Sequence, residues 1–566
     1  MNGSYRYKHN PIVRNIFLAM LAPTILMNLT TAIGSMADTV IIGHYLDDLS
    51  LSVVTFATPI FMVINTVAAL FAVGGCIAMS IDSGKGAKET ANHAFSLSIE
   101  LLAAVGIIFL LAGIFASGTI THWLGAGEDV FESTRQYSQI ILCGAPVFTL
   151  NIGLAFFVRN DGRPTLSMVG MFSSIVVDII LNFVFVGHMG MGIPGAAYST
   201  VLGQLVSILI ICTHFFSGKN TLKFHITFDK TVWRIVQNGA SSALHFVYQF
   251  LTILIINHLL SRLAGTNGVV IYTVVFNLST VSLSVFEGIS QTIQPMVSNY
   301  YGEKSFRNIR ETLRLAVVSA IIICGAVTLA LELFPEIVPA LFGIEDAVLI
   351  CDSAAAVRIF ATSMIIMTIN VVIGYYLQST ERNFMAAVLI SLRCFVLFLG
   401  ATLVLGMCFG MNGVWAAYTV AEVLAFLIIL IMVRVKQKAL SRKASAVNFL
   451  LLDCATEQAI SGYTYDCCEN NFAAYVAAVA NHLSNDETLG EALCKDTVSY
   501  LSKLADCCVA QKGKFVEVEI NSREGKVIIR DNLNHTVIAE GLRSAVQYGS
   551  TADYGPVLGW NRMCIG

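Results

Sequence analysis

Long apolar blocks, each separated from the next by Gly, Pro or charged residues, fill the first 440 positions of the chain. They fall at 12–42, 51–81, 93–116, 137–158, 165–187 and 195–216, then at 236–260, 268–300, 313–334, 355–377, 385–407 and 412–433. A helix of about 20 apolar residues spans the hydrocarbon core of a bilayer, so the pattern predicts twelve membrane-crossing helices, several tilted or projecting. The first block carries Pro23 and Asp38 and reads as a retained span rather than a short cleavable leader. After Lys443 the pattern changes. Polar helical stretches continue to about residue 510, and the alternation of Phe515 to Ile520 and Lys526 to Arg530 around a turn at Asn521 to Gly525 predicts a hairpin.

Composition sharpens this picture. Of 566 residues, 56% are hydrophobic and only 13% charged, too few polar groups to cover a soluble chain of this size. The expected fold is an all-α polytopic membrane protein with a small α+β cytoplasmic domain. Its twelve helices form a six-helix lobe at 1–217, a loop at 218–235 and a second six-helix lobe at 236–443, with 444–566 as the tail domain. With the N-terminus inside, twenty-one Lys and Arg residues fall in cytoplasmic loops and only Arg135, Arg262 and Arg358 outside, which predicts a multi-pass plasma-membrane protein with both termini cytoplasmic. Seven of the fourteen cysteines lie in the tail, where the cytoplasm keeps thiols reduced. The neighbouring pairs Cys467–Cys468 and Cys507–Cys508 lack the spacing that wraps a zinc ion, so no metal site is expected.

The two lobes echo each other. Phe156, Phe157 and Arg159 to Arg163 return as Tyr375, Tyr376 and Gln378 to Arg382, the closing arginines 219 apart, and Ala196–Ala197–Tyr198 returns as Ala416–Ala417–Tyr418 at an offset of 220. Six spans separate the copies, an even number, so both enter the membrane from the same side and form a parallel repeat about an axis along its normal. Two such lobes can rock around a midplane site.

Five ionisable residues inside predicted spans matter most, since each charge there costs about 2.5–3.5 kcal/mol on insertion scales unless neutralised, paired or facing water. Asp38 lies in the first span between Gly34 and Gly43. Asp178 stands one turn before Asn182 in the fifth, so the two share a helix face and can share a proton or cation. These three are the candidate coupling residues, against an interfacial Asp38 and a structural Asp–Asn bond. Glu287, Arg393 and Glu422 belong to the eighth, eleventh and twelfth spans; an ion pair between Arg393 and either glutamate is expected, lining a substrate cleft or serving structure. Pro23, Pro59, Pro146 and Pro295 mark bends. No phosphate loop or nucleotide fingerprint appears in the membrane part, which reads as transport rather than enzyme.

Ile33 to Asp38 with Gly43, Arg159 to Arg163, Gly192 to Ala197, Gln294–Pro295 with Tyr300–Tyr301–Gly302, Leu392–Arg393, and Asn412 to Trp415 followed by Ala421–Glu422 together resemble the MATE (multidrug and toxic compound extrusion) family, particularly its bacterial MepA-like branch. The resemblance covers about residues 10–440. It implies two six-helix lobes acting as a secondary active antiporter that exchanges H+ or Na+ for small organic, often cationic compounds by alternating access. It also implies a first-span acid at Asp38 and no cofactor beyond the coupling ion. It further implies Asn-x-x-x-Asp in the fifth span, where this chain reverses the order to Asp178-x-x-x-Asn182, and residues 236–260 lack the acid of another branch. The tail, with Asp531–Asn532 and Gly555 to Gly559, faintly looks like the GHKL ATPase fold of anti-sigma factors. Alternatives are a lipid-linked oligosaccharide or lipid flippase of the same superfamily, or a membrane sensor with an enzymatic or nucleotide-binding tail. Expected partners are small organic substrates, membrane lipid and a cytoplasmic regulatory partner of the tail, with no nucleic acid.

Overall fold

A computed structural model of the chain describes residues 10–46, 48–218, 220–225, 231–263, 265–341, 346–441, 447–453, 459–467, 471–486, 488–505, 514–533 and 552–565. A helix stands at each predicted span. The first half consists of α1 (Pro11–Tyr45), α2 (Asp48–Gly84), α3 (Lys88–Trp123), α4 (Glu128–Asn160), α5 (Pro164–Asn182) and α6 (Gly192–Cys212). In the second half, α7 (Thr231–Leu263), α8 (Gly265–Glu303) and α9 (Phe306–Leu333) are followed by a short α10 (Ile337–Leu341) that hydropathy did not predict. The tenth span is broken into α11 (Ala347–Ala361) and α12 (Met364–Ser379), bent by 43°. The eleventh runs through α13 (Asn383–Ser391), a π turn at Leu392–Val396 and α14 (Leu397–Phe409); α15 (Met411–Ser441) is the twelfth. Among the described residues ten helices are long and apolar enough to cross a membrane, and the bent pair makes an eleventh. The 33-residue α7 occupies the predicted seventh place. Pro23, Pro59, Pro146 and Pro295 all lie inside helices.

At the tail end of the bundle the halves meet backbone to backbone. A Cβ on Gly84 would come within 2.1 Å of the Asn299 carbonyl, and one on Gly302 within 2.1 Å of the Ile81 carbonyl, so only glycine lets α2 and α8 cross this closely. Gly74 and Gly239 do the same for α2 and α7, each facing carbonyl oxygen of the other helix. Arg234 at the start of α7 ties the seam with bonds of 2.8 Å to Asp82 and 2.7 Å to Glu381.

The tail is α+β. Its strands β1 (Ile460–Asp466), β2 (Phe515–Asn521), β3 (Lys526–Asp531), β4 (Ala552–Val557) and β5 (Trp560–Ile565) form one antiparallel sheet in the order β1-β2-β3-β5-β4. The predicted hairpin is β2–β3, pairing Val518 with Ile529. Strand β1 was not anticipated. Helices α16 (Phe472–Asn485) and α17 (Glu491–Leu504) join the apolar side: Val516, Val518, Ile520, Val527 and Ile529 share a core with Tyr475, Leu501 and Leu504. Gly555 to Gly559, matched in sequence to a nucleotide-binding segment, instead ends β4 and turns into β5, and Asp531 accepts from the Leu533 amide at 3.0 Å and the Asn561 side chain at 2.9 Å. Cys468, Cys507 and Cys508 lie outside the described residues.

Strand periodicity puts Glu517, Glu519 and Arg530 on the opposite face. That face is buried against the bundle. Arg530 bonds Glu303 at the end of α8, Glu517 at 3.1 Å and Glu519 at 2.9 Å; Arg562 reaches Glu303 at 3.1 Å; and Ser305 and Asn308 donate to Glu519 at 2.6 and 3.0 Å. Burial pushes the Glu519 carboxyl above its ordinary value, the neighbouring Arg530 opposing the shift and Glu517 adding to it. An acid raised in this way holds its proton more tightly in the folded chain than in the unfolded one, so its stabilising contribution is present at low pH and fades as pH rises through the raised value.

Replacing Gly302 by valine should force α2 and α8 apart, costing about 1–3 kcal/mol. A lower unfolding midpoint for the purified Gly302→Val protein is the expected result, and a midpoint equal to the parent's would show that the crossing is looser than described.

Candidate functional site

The first polar site forms where α1 meets α5. A Cβ on Gly34 would come within 2.7 Å of the Ile175 side chain, so the bare glycine lets the two helices touch, and Asp38 follows one turn later. Asn182 Nδ2 donates to Asp38 Oδ1 and to Asp178 Oδ1, both at 3.1 Å. Asp178 and Asn182 are buried, at 6% and 0% exposure, and Asp38 is half-buried. Behind Asp178, a Cβ on Gly203 of α6 would lie 3.2 Å from the Asp178 Cβ, and the nearby Ser199 and Thr200 hydroxyls are turned to the Ala196 carbonyl. Because an ionised carboxylate only accepts, two carboxyls that share one amide need a proton or a cation before they can bind each other. The Asn182 Oδ1 is buried with no partner. Thus the three residues singled out from sequence are brought together, and the reversed Asp-x-x-x-Asn order still places acid and amide on one face.

Directly after Asn182 the helix widens into a π turn, Phe183–His188. Such turns insert one residue and frequently mark functional sites. The second half carries its own π turn in the matching helix, and Arg393 lies within it. Arg393 makes a two-pronged contact with Glu422, 3.0 Å from Nε and 2.8 Å from Nη2, and Asn370 donates to the same carboxylate at 2.7 Å. Of the two expected partners, then, Glu422 holds the arginine. Glu287 instead lies 3.7 Å from His245 of α7, a residue that hydropathy alone did not single out.

Glu287, His245 and Arg393 open onto a cavity of about 100 Å³ between the halves, walled from the first half by Asn65, Ile152 and Phe156 and from the second by Tyr375 and Gln378. It is smaller than the roughly 300–1,000 Å³ that drug-sized ligands occupy. Close by, Arg159 changes role. Counted from sequence as a cytoplasmic loop base, it is wholly buried at the end of α4, with its guanidinium 4.5 Å from the Phe156 ring. It donates to Gln291 at 2.8 Å and Gln294 at 3.3 Å, and Gln291 exchanges bonds of 3.2 Å with Asn28 of α1. This polar bridge between the halves was hidden because an arginine at a span's end looks the same whether it turns to water or inward.

Removing the carboxylate with Glu422→Gln strands a buried guanidinium and should cost about 3–5 kcal/mol, whereas Arg393→Met with Glu422→Met should recover most of it. Chemical unfolding of the purified proteins distinguishes the two outcomes.

Comparison with known proteins places this geometry. The chain is 24% identical over 444 residues to the multidrug export protein MepA of Staphylococcus haemolyticus, covering 77% of this chain and 97% of that protein. It is 23% identical over 432 residues to MepA of Staphylococcus saprophyticus, covering 74% and 94%. A solved MATE in complex with MaL6 superposes with a TM-score of 0.72 at 21% identity over 76% of this chain and 97% of the other. An outward-facing multidrug resistance MATE family transporter of the MOP superfamily gives 0.71 at 21% identity over 77% and 100%, a likeness of fold. The MatE family model matches residues 23–184 and 240–403, two blocks that begin 217 positions apart, close to the spacing of the repeat. The chain belongs to the MatE family.

Proposed function

We propose that the chain is a secondary active exporter of small organic compounds that uses H+ or Na+ entry at Asp38, Asp178 and Asn182 to drive efflux by alternating access. The observation that carries this reading is the Asn182 amide bridging two carboxyls from different helices, beside an unpartnered Asn182 oxygen. A proton or a sodium ion satisfies that cluster, and its departure leaves two acids competing for one amide, which favours a rearrangement of α1 against α5. The naming of similar proteins as multidrug export proteins supports organic substrates. Substrate enters between the halves, where Glu287 and His245 offer an acid and a base beside the aromatic Tyr375 and Phe156. Arg393, engaged by Glu422, is poorly placed to receive a lipid phosphate, which weighs against a flippase. The membrane is the bacterial plasma membrane, supported by the bacterial relatives, and the tail lies on its cytoplasmic side, a reading the basic loops support.

The test is reconstitution in liposomes with an imposed pH or Na+ gradient, following efflux of a lipophilic cation. Asp38→Asn and Asp178→Asn should each slow gradient-driven transport by at least about tenfold, equivalent to 1.4 kcal/mol in the barrier. Undiminished transport in both variants would remove the coupling assignment.

A further inference from the structure

The tail grips the two halves unequally. Among the described residues, its bonds to the second half include the buried Glu303, Ser305 and Asn308 contacts, Lys304 to Glu524 at 2.8 Å, the Tyr376 hydroxyl to the Leu450 carbonyl at 2.6 Å, and Arg382 to the Leu451 carbonyl at 2.5 Å. Leu451 and Leu452 are buried in the same apolar cluster as Met385 and Leu389 of α13. Against the first half, three contacts stand out among the described residues. Asn10, which caps α1 through its Oδ1, donates to Glu517 at 2.6 Å. Arg562 donates to the Gly84 carbonyl at 3.2 Å. The tip of the β4–β5 hairpin presses on the α4–α5 turn, where a Cβ on Gly162 would lie 2.3 Å from the Gly559 nitrogen.

These first-half contacts fall on the seam that must part if the bundle opens at this end. Gly84 is one of the glycines through which α2 crosses α8, and Leu558 sits with Tyr300 and Ile16 around a single small gap where the halves join. Stripping partners from the Glu303–Arg530–Glu519 network would strand buried charges, a large cost. Among the described residues, freeing the hairpin breaks the Arg562 bond to the Gly84 carbonyl and the van der Waals contacts of Leu558 and Gly559, and the single Asn10–Glu517 bond parts with them.

We propose that the tail is a latch fixed to the second half, and that opening of the bundle at the tail end proceeds by release of the β4–β5 hairpin from the first half while the sheet stays anchored at Glu303. The solved MATE fold is matched over 76–77% of this chain, so the latch is an addition to that fold. Such a latch gives a ligand or protein that binds the hairpin control over one side of the transport cycle. It rests on the alternating-access reading, but its readout needs no transport, so a chain that moves no substrate can still pass or fail.

The experiment uses the full chain carrying Ala69→Cys, a position on the wall of the central cavity, in vesicles whose tail faces the bath. A membrane-impermeant maleimide is added to the bath, and modification at position 69 is followed by mass spectrometry, which separates it from the natural cysteines. Leu558→Ser and Arg562→Gln should each raise the labelling rate about tenfold, the shift expected if each weakens the latched state by a factor of ten; Arg562→Gln also removes one guanidinium from Glu303, which Arg530 still holds. Amide exchange in β2 and β3 should stay slow, as the anchor persists. In a second arm, a zero-length carbodiimide condenses the Lys304 amine with the Glu524 carboxylate to an amide, welding the tail to the second half; Lys304→Arg serves as the uncoupled control. Labelling of the coupled Leu558→Ser protein should remain fast. Unchanged labelling in both hairpin variants would overturn the latch, and loss of fast labelling on coupling would show that the whole tail must leave, overturning release by the hairpin alone.

Discussion

A charge inside a lipid-embedded bundle has no water to turn to, so every one kept there must be answered from a neighbouring helix. The rest of the architecture follows from that demand. Asp38 and Asp178 are answered by Asn182 across α1 and α5, Arg393 by Glu422, which Asn370 in turn holds from a third span, and Arg159 by Gln291 and Gln294 across the two halves. Each pairing fixes which helices touch and at what height. The contrast among them is one of partners: Glu422 meets Arg393 with two bonds, whereas Asp38 and Asp178 share one amide.

Glycine decides how close those helices come. Gly34 lets α1 onto α5 where the acids need to meet, and Gly84 with Gly302 lets α2 and α8 cross at carbonyl contact, sealing the tail end of the bundle. Because Gly84 and Gly302 stand 218 positions apart, almost the repeat spacing, the seal lies where equivalent helices of the two copies face each other. Both halves also carry a π turn in corresponding helices, one after Asn182 and one around Arg393, at different heights along the helix. Evolution of the copies has then diverged in chemistry: acids and an amide in the first, a closed ion pair in the second.

The tail extends the seal. Its sheet obeys ordinary strand alternation, apolar toward α16 and α17 and charged toward the other side, yet the charged side is buried on the bundle instead of solvated. Three carboxylates, Glu303, Glu517 and Glu519, face two guanidinia there, so directional bonds fix the register of a dock that also buries Leu451 and Leu452. A surface of that kind is specific in register and, at its hairpin edge, easily parted.

Much of this was legible along the chain. Apolar run lengths sufficed for the helices because a bilayer leaves a backbone few alternatives, and the residue types Asp38, Asp178 and Asn182 announced a polar site because lipid makes such residues expensive. Alternation likewise located the β2–β3 hairpin and its two faces. Pairing was not legible: whether Arg393 meets Glu287 or Glu422, that Glu287 faces His245, and that Arg159 turns inward all depend on how helices distant in sequence are rotated against one another. Nor could the chain alone announce what covers the charged face of the tail sheet, since periodicity states which side of an element is polar and only the docked neighbour decides whether that side meets water or another charge.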